Sequence, residues 1–142
     1  MKQVLQNLSN GDTSLVDVPS PKNIKSNILI ATTTTVVSAG TERMLVNFGK
    51  SGYISKAKQQ PDKVKMVLNK VATDGLMTTI NAVRSKLDQP LPLGYCNAGV
   101  ILESDVDGFE PGDRVVSNGN HAEVVRVPKN LCVKIPNNVD DE

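Results

Sequence analysis

Aromatic side chains are scarce in this sequence: it has no tryptophan, two phenylalanines and two tyrosines in 142 residues. With so little ring volume, the core has to be built from Val, Leu and Ile. Cysteine is nearly absent. Cys96 and Cys132 stand far apart and outside any CxxC pair, which excludes the disulfide framework of a small secreted domain. His121 is the single histidine, so spacing alone supports no Ser/His/Asp or Cys/His constellation. Neither sign of charge prevails, since 16 Lys and Arg against 15 Asp and Glu leave +1. No global field therefore steers the chain to nucleic acid, and its basic residues lack the interleaved aromatics of a base-stacking platform. The start MKQVLQNLSNG has no apolar signal core, and no apolar run approaches the length of a membrane span. A cytoplasmic protein with no nucleic-acid or membrane partner is expected.

What is present reads as one domain, long enough to bury a core. Residues 2–7 form a plausible strand before an Asn10-Gly11 turn. Residues 14–18 are short and extended, and Pro19 and Pro21 end them. Residues 27–37 (NILIATTTTVV) are rich in β-branched side chains that alternate between two sheet faces at little cost. Pro111-Gly112 fits the central positions of a type II turn, with a strand starting at Asp113. Short strands over 121–127 and 131–135 follow. Closely spaced strands with turn signals predict a small barrel, an architecture that limits exposed sheet edges.

The middle of the chain has a different period. Pro61 suits the first position of a helix, and Val64, Val67, Leu68 and Val71 make one apolar stripe before Gly75. Leu76, Ile80, Val83 and Leu87 make a second, stopped by Pro90. The lysines on the opposite face read as a solvated surface. These helices read as an insertion in a β framework. They need to bury their stripes on the barrel or on another chain, so an interaction or oligomerisation module is an alternative function.

Ser38-Ala39-Gly40-Thr41-Glu42, Gly94-Tyr95-Cys96-Asn97-Ala98-Gly99, Gly112-Asp113-Arg114-Val115, His121-Ala122-Glu123 and Lys134-Ile135-Pro136 occur in that order. Together they resemble segments of the N-terminal domain of medium-chain alcohol dehydrogenases and quinone oxidoreductases. The insertion, with Gly-Tyr-Cys-Asn and Ser-Asn-Gly-Asn-His-Ala-Glu, resembles the narrower group of bi-domain oxidoreductases. The resemblance implies a mainly β, GroES-like, partly open barrel with a helical insertion at about residues 43–92. It also implies a Rossmann domain binding NAD or NADP after the barrel. This sequence has no G-x-G-x-x-G, and Gly49-Lys50-Ser51-Gly52 does not sit in a βαβ unit. Residues 137–142 resemble the lead-in to the joining helix, so the chain is expected to be cut at a domain boundary and inactive alone, its C-terminal Rossmann domain missing. Residues binding the cofactor are not identifiable in it.

The resemblance also assigns a site and removes its metal. Zinc members carry a cysteine where Ala39 stands and a histidine where Tyr95 stands, so no metal ligand and no zinc are expected. Cys96, one residue along, would face away from the site on an extended segment and reads as a small buried thiol. Cys132, between Leu131 and Val133, reads the same way. Thr41 and Glu42 match the family's hydroxyl and carboxylate positions. Thr41 is either a catalytic hydroxyl in the cleft or a satisfied turn residue. Tyr95 either donates its phenol to a carbonyl being reduced or simply leaves its hydroxyl at the surface. Glu42, Asn97 and His121 are the candidate substrate-cleft residues, with His121 reading otherwise as an exposed loop histidine. The implied activity of the full protein is zinc-independent hydride transfer between NAD(P) and a carbonyl or hydroxyl substrate. A sugar derivative is a plausible small-molecule substrate, and the chain is a candidate homo-oligomer.

Overall fold

The structure is a computed structural model that describes residues 1–139. The described chain divides into two compact units. The first comprises Met1–Leu5, Ser14–Glu42 and the described residues from Pro92 onward, and the second Gln6–Thr13 and Arg43–Leu91. In chain order the elements are β1 (Lys2–Gln6), β2 (Thr13–Asp17), β3 (Asn27–Thr35), α1 (Thr41–Lys50), α2 (Tyr53–Gln59), α3 (Pro61–Asp74) and α4 (Leu76–Asp88). Then come β4 (Leu91–Pro92), β5 (Asn97–Ser104), β6 (Arg114–Ser117), β7 (Val124–Pro128), a 3₁₀ turn (Lys129–Leu131) and β8 (Cys132–Lys134).

The strands form two open antiparallel sheets, ordered β2-β1-β4 and β7-β3-β5-β6-β8. The larger sheet carries the core. Ile28 and Ile30 of β3, Ile101 of β5, Val115 of β6, and Val125 and Val127 of β7 are buried together, with Ala122 and Cys132 beside them. On β7 the neighbours Val124 and Arg126 are less buried than Val125 and Val127, which is the period of two that one covered face requires. Among the described residues, the partly buried Phe109 is the one aromatic ring packed against this core. Burial pushes the Cys132 thiol up to about 11, as expected of a packed rather than reactive cysteine.

The Pro111-Gly112 turn has the expected geometry: Gly112 has φ 94 and the Asp113 N–H donates to the Glu110 carbonyl at 3.0 Å. Strand bounds shift slightly inward. β6 starts at Arg114 rather than Asp113 because the Asp113 N–H is taken by the Glu110 carbonyl in the turn, while the Asp113 carboxylate accepts the Glu110 N–H at 2.7 Å. β7 starts at Val124 rather than at His121, which lies in the preceding loop. β5, which no strand pattern marked, is the centre of the sheet. Its Gly99 lies opposite Thr32 of β3 and Val115 of β6.

In the second unit, α3 begins at Pro61 and ends at Gly75, whose φ of 86 breaks the helix. The expected stripes are incompletely covered: α3 has no buried residue, and Leu68 and Leu76 are 63% and 61% exposed. The strand-linking segment with Asn10-Gly11 also belongs to this unit. Gly11, at φ 81, donates its N–H to the Asn7 carbonyl at 3.0 Å.

A Cβ at Gly99 would collide with the Ala31 carbonyl oxygen and lie 2.8 Å from Ile30 Cγ2. Both neighbours belong to the central strand pair, so neither can yield cheaply. Gly99→Ala is expected to destabilise the protein by about 1–3 kcal/mol, read as a lowered urea midpoint. Gly108→Ala meets no atom within 4 Å but sits at φ 84, so it carries only the smaller backbone cost, about 1 kcal/mol.

Candidate functional site

The polypeptide leaves β3 at Thr35 and enters α1 at Thr41. The turn between them is closed by its own side chains. Ser38 Oγ accepts the Thr41 N–H at 3.4 Å, and the Glu42 N–H donates to the Ser38 carbonyl at 3.1 Å. In return the Ser38 N–H donates to Glu42 Oε1 at 2.8 Å. This is a reciprocal cap of the Ser-x-x-Glu kind, stretched by one residue.

Glu42 is 7% exposed, and its second oxygen, Oε2, lies 2.9 Å from His121 Nε2. Burial alone would raise the pKa of this carboxyl. The Ser38 N–H, the His121 hydrogen bond and the charge of His121 outweigh it and hold the group below its usual range. His121 is itself 9% exposed, against the expectation of a loop side chain in solvent. The loop is held on both sides: the His121 N–H donates to the Leu93 carbonyl at 2.8 Å, and the His121 carbonyl accepts the Val4 N–H at 2.9 Å. The other ring nitrogen, Nδ1, is buried without a partner. Gly94 covers it. At φ 87, a Cβ there would lie 2.7 Å from Nδ1 and 2.6 Å from the His121 backbone nitrogen. With Glu42 ionised, Nε2 carries the proton toward it, and the orphaned Nδ1 is the unprotonated nitrogen of a neutral ring or a second buried donor of a charged one.

In front of this buried pair stand exposed hydroxyls. Tyr95, 45% exposed, places its Oη 3.5 Å from Thr41 Oγ1. Hydrogen bonding with the Ser38 and Thr41 side chains lowers the Tyr95 pKa, against partial opposition from burial and from the charges of Glu42 and Cys96. The structure thus brings Thr41, Glu42, Tyr95 and His121 together, and adds Ser38, which the sequence reading did not single out. The Ser-x-x-x-Glu spacing was its available signal. Asn97 is placed apart from them. It is 1% exposed, its amide donates to Thr32 Oγ1 at 3.0 Å, and its Oδ1 accepts from Ser117. Those bonds occupy it in the sheet. Cys96 is partly buried, and its carbonyl accepts the Val36 N–H at 3.1 Å.

The donor set does not suit a catalytic zinc, which needs three protein ligands and an open position. Ala39 offers no donor atom, and both Glu42 oxygens are engaged by Ser38 and His121. Among the described residues no group of three or more His, Cys, Asp or Glu could hold a metal ion. A dinucleotide pyrophosphate is also poorly served. The strand-to-helix junction of β3 and α1 has its first turn occupied by Ser38 and by the negative charge of Glu42, the sign a phosphate site avoids. Among the described residues no helix is long and apolar enough to cross a membrane.

No protein-family model and no curated protein matches this chain. Solved structures do. The quinone oxidoreductase of Coxiella burnetii is 19% identical with a TM-score of 0.64, matching 99% of this chain and 38% of its own. Galactitol-1-phosphate dehydrogenase from Escherichia coli is 14% identical with a TM-score of 0.63, over 99% of this chain and 40% of that one. A mycobacterial protein in complex with NADPH is 19% identical with a TM-score of 0.61, over 99% and 34%. The chain thus spans well under half the length of the proteins it matches. These likenesses establish the fold: mainly β and GroES-like, as in medium-chain oxidoreductases and alcohol dehydrogenases, with open sheets and a helical insertion. The start of the joining helix expected over 137–142 falls partly on residues 140–142, outside the described residues.

His121→Ala leaves Glu42 buried and unpaired, and is expected to cost about 3–5 kcal/mol at neutral pH. The folded-state pKa of Glu42 is depressed. Its stabilising contribution is therefore full above the unfolded-state pKa and is lost as pH falls through the folded one. The stability gap between the parent chain and His121→Ala should narrow as pH is lowered below the ordinary Glu value of 4.5. Denaturant melts from pH 7 to pH 3 check this, and a gap independent of pH would show that Glu42 is not the ionised partner.

Proposed function

We propose that this chain is the substrate-side domain of a zinc-independent NAD(P)-dependent oxidoreductase that moves hydride to or from a carbonyl or hydroxyl carbon. The observation that carries the reading is the exposed Tyr95–Thr41 hydroxyl pair, 3.5 Å apart, set over a buried carboxylate–histidine pair. In the proposal the nucleotide is held by a Rossmann domain C-terminal to this chain and supplies the hydride. Support comes from the shared fold, from the NADPH-bound mycobacterial neighbour, and from the fraction of its neighbours' length that the chain spans.

The residues of this chain hold the substrate oxygen and its proton. Tyr95, made more acidic by Ser38 and Thr41, donates to a carbonyl oxygen as negative charge grows there. The Thr41 hydroxyl then donates a hydrogen bond to the phenolate, and the exposed phenol regains its proton from solvent. Glu42 and His121 act behind them, fixing the turn that presents Thr41. Substrates with adjacent hydroxyls suit a cluster of three hydroxyl side chains, so a sugar derivative is the class we favour. Alone, the chain should be inactive, because its own helix junction disfavours the nucleotide phosphates.

A second reading, a binding or oligomerisation module using the helical insertion, is favoured by one observation: α3 buries no residue, and Met66 and Leu68 are 62% and 63% exposed. If deletion of residues 61–89 leaves the association state unchanged, that reading fails.

The first measurement is the mass of the native polypeptide in its source cells. A mass far above 15.2 kDa supports the domain reading, and about 15 kDa overturns it. In the longer protein, Tyr95→Phe is expected to lower kcat by roughly 10²–10⁴-fold with little change in NAD(P)H affinity. An unchanged kcat would remove Tyr95 from the chemistry.

A further inference from the structure

The helical unit contains a cavity of about 780 Å³. None of the residues of the proposed oxidoreductase site lines it. Its walls are apolar, with Leu45 and Phe48 from α1, Val64 and Val67 from α3, and Val83 and Leu87 from α4. Its charged lining has a single sign: Lys56, Lys63, Lys70 and Lys86 contribute, and no Asp or Glu does.

These lysines are not equivalent. Lys56 is 6% exposed and spends its ammonium on the Ser9 and Gly49 carbonyls, at 3.0 and 2.8 Å. It lies 5.9 Å from the Phe48 ring centroid and 5.7 Å from that of Tyr53, so it braces the wall. Lys70 pairs with Asp74 at 2.7 Å. Lys63 and Lys86 make no ion pair among the described residues. Lys63, Val67 and Lys70 follow the i, i+4, i+7 rule and share one face of α3. Lys63 and Lys86 stand about equally far along the chain from the joint at Gly75, on the two helices that leave it, and both line the cavity. Two lysines without an ion-pair partner among the described residues therefore line the cavity, one from each helix.

We infer that this cavity binds a single-chain amphiphile with an anionic head, a carboxylate or a phosphate, its head on Lys63 and Lys86 and its chain along Val64, Val67 and Val83. The volume falls in the range of small-molecule sites, roughly 300–1,000 Å³. A neutral apolar ligand would use the walls and neither lysine, and a small polar anion would use the lysines and leave the walls wet. The inference gives the binding-module reading a ligand class and does not depend on hydride transfer, so its failure leaves the Tyr95 site untouched.

The test is titration calorimetry of the whole chain with decanoate, decyl phosphate, 1-decanol and decyltrimethylammonium, each kept below micelle formation. One anion per chain is expected, bound roughly tenfold more tightly than decanol, the weight of two partly exposed ion pairs. The cation should show no saturable binding. Whichever anion binds more tightly names the head group, and either result supports the site. Lys63→Gln with Lys86→Gln should abolish the preference for anions and leave decanol binding unchanged, with an unchanged melting temperature confirming the fold. The proposal is overturned if the anions show no saturable binding, if all four heads bind alike, or if the double variant keeps its preference. It is also overturned if sedimentation shows self-association that decyl phosphate does not reverse, because a second copy then covers the walls.

Discussion

The site of this protein depends on one buried carboxylate. Glu42 accepts the Ser38 N–H on one oxygen and faces His121 with the other. A carboxylate taken out of water costs several kcal/mol unless it is paired and hydrogen-bonded, so both engagements must hold for the group to stay ionised. The first fixes the turn that follows β3 and starts α1. The second fixes the loop between β6 and β7. Two stretches distant in sequence are thus locked in one arrangement, and the His121 N–H, donating to the Leu93 carbonyl, holds a third beside them; Thr41 and Tyr95 present their hydroxyls from the first and the third.

The same economy appears in the larger sheet. A chain with two phenylalanines and no tryptophan has little ring volume for the space between its strands and loops. It fills that space with Ile and Val, and with polar side chains that satisfy one another. Asn97 lies opposite Thr35 on one side and Ser117 on the other, and bonds to Thr32 and Ser117. Gly99 and Gly94 allow the close approaches on which this depends, one letting β3 close on β5 and the other covering the His121 ring. Small and polar residues do here what aromatic packing does elsewhere, and the result tolerates little added volume.

Much of this was legible in the sequence, for identifiable reasons. Pro61, Gly75 and Pro111-Gly112 fix backbone dihedrals locally, so their roles needed no tertiary information. The alternation on β7 follows from one covered sheet face, and the β-branched run of β3 from strand propensity. β5 was not legible as a strand: Asn97, Ala98 and Gly99 have low β propensity, and the strand is held by neighbours on both sides rather than by preference. The burial of His121 was hidden as well, because its polar flanks Asn118 and Asn120 look like an open loop, while its partner Glu42 lies 79 residues away. For Asn97, the residue type suggested a cleft, but only the cross-strand register shows which groups occupy its amide. The helical stripes were legible as stripes, but a period cannot say what covers them, and much of α3 remains exposed.

The same carboxylate accounts for how the turn and the loop are held together. A metal shell and an ion pair solve a common problem, that of holding a turn and a loop together around charged groups with little room for water. Ala39 offers no donor atom in this turn, and an unpaired buried carboxylate would raise its own pKa and neutralise. His121, brought in from the β6–β7 loop, supplies the donor and keeps the carboxylate charged. Tyr95 stands outside that pair, exposed and acidified by Ser38 and Thr41. The turn and the loop are therefore held by a charge with a protein partner, and the hydroxyls of Thr41 and Tyr95 stay exposed beside it.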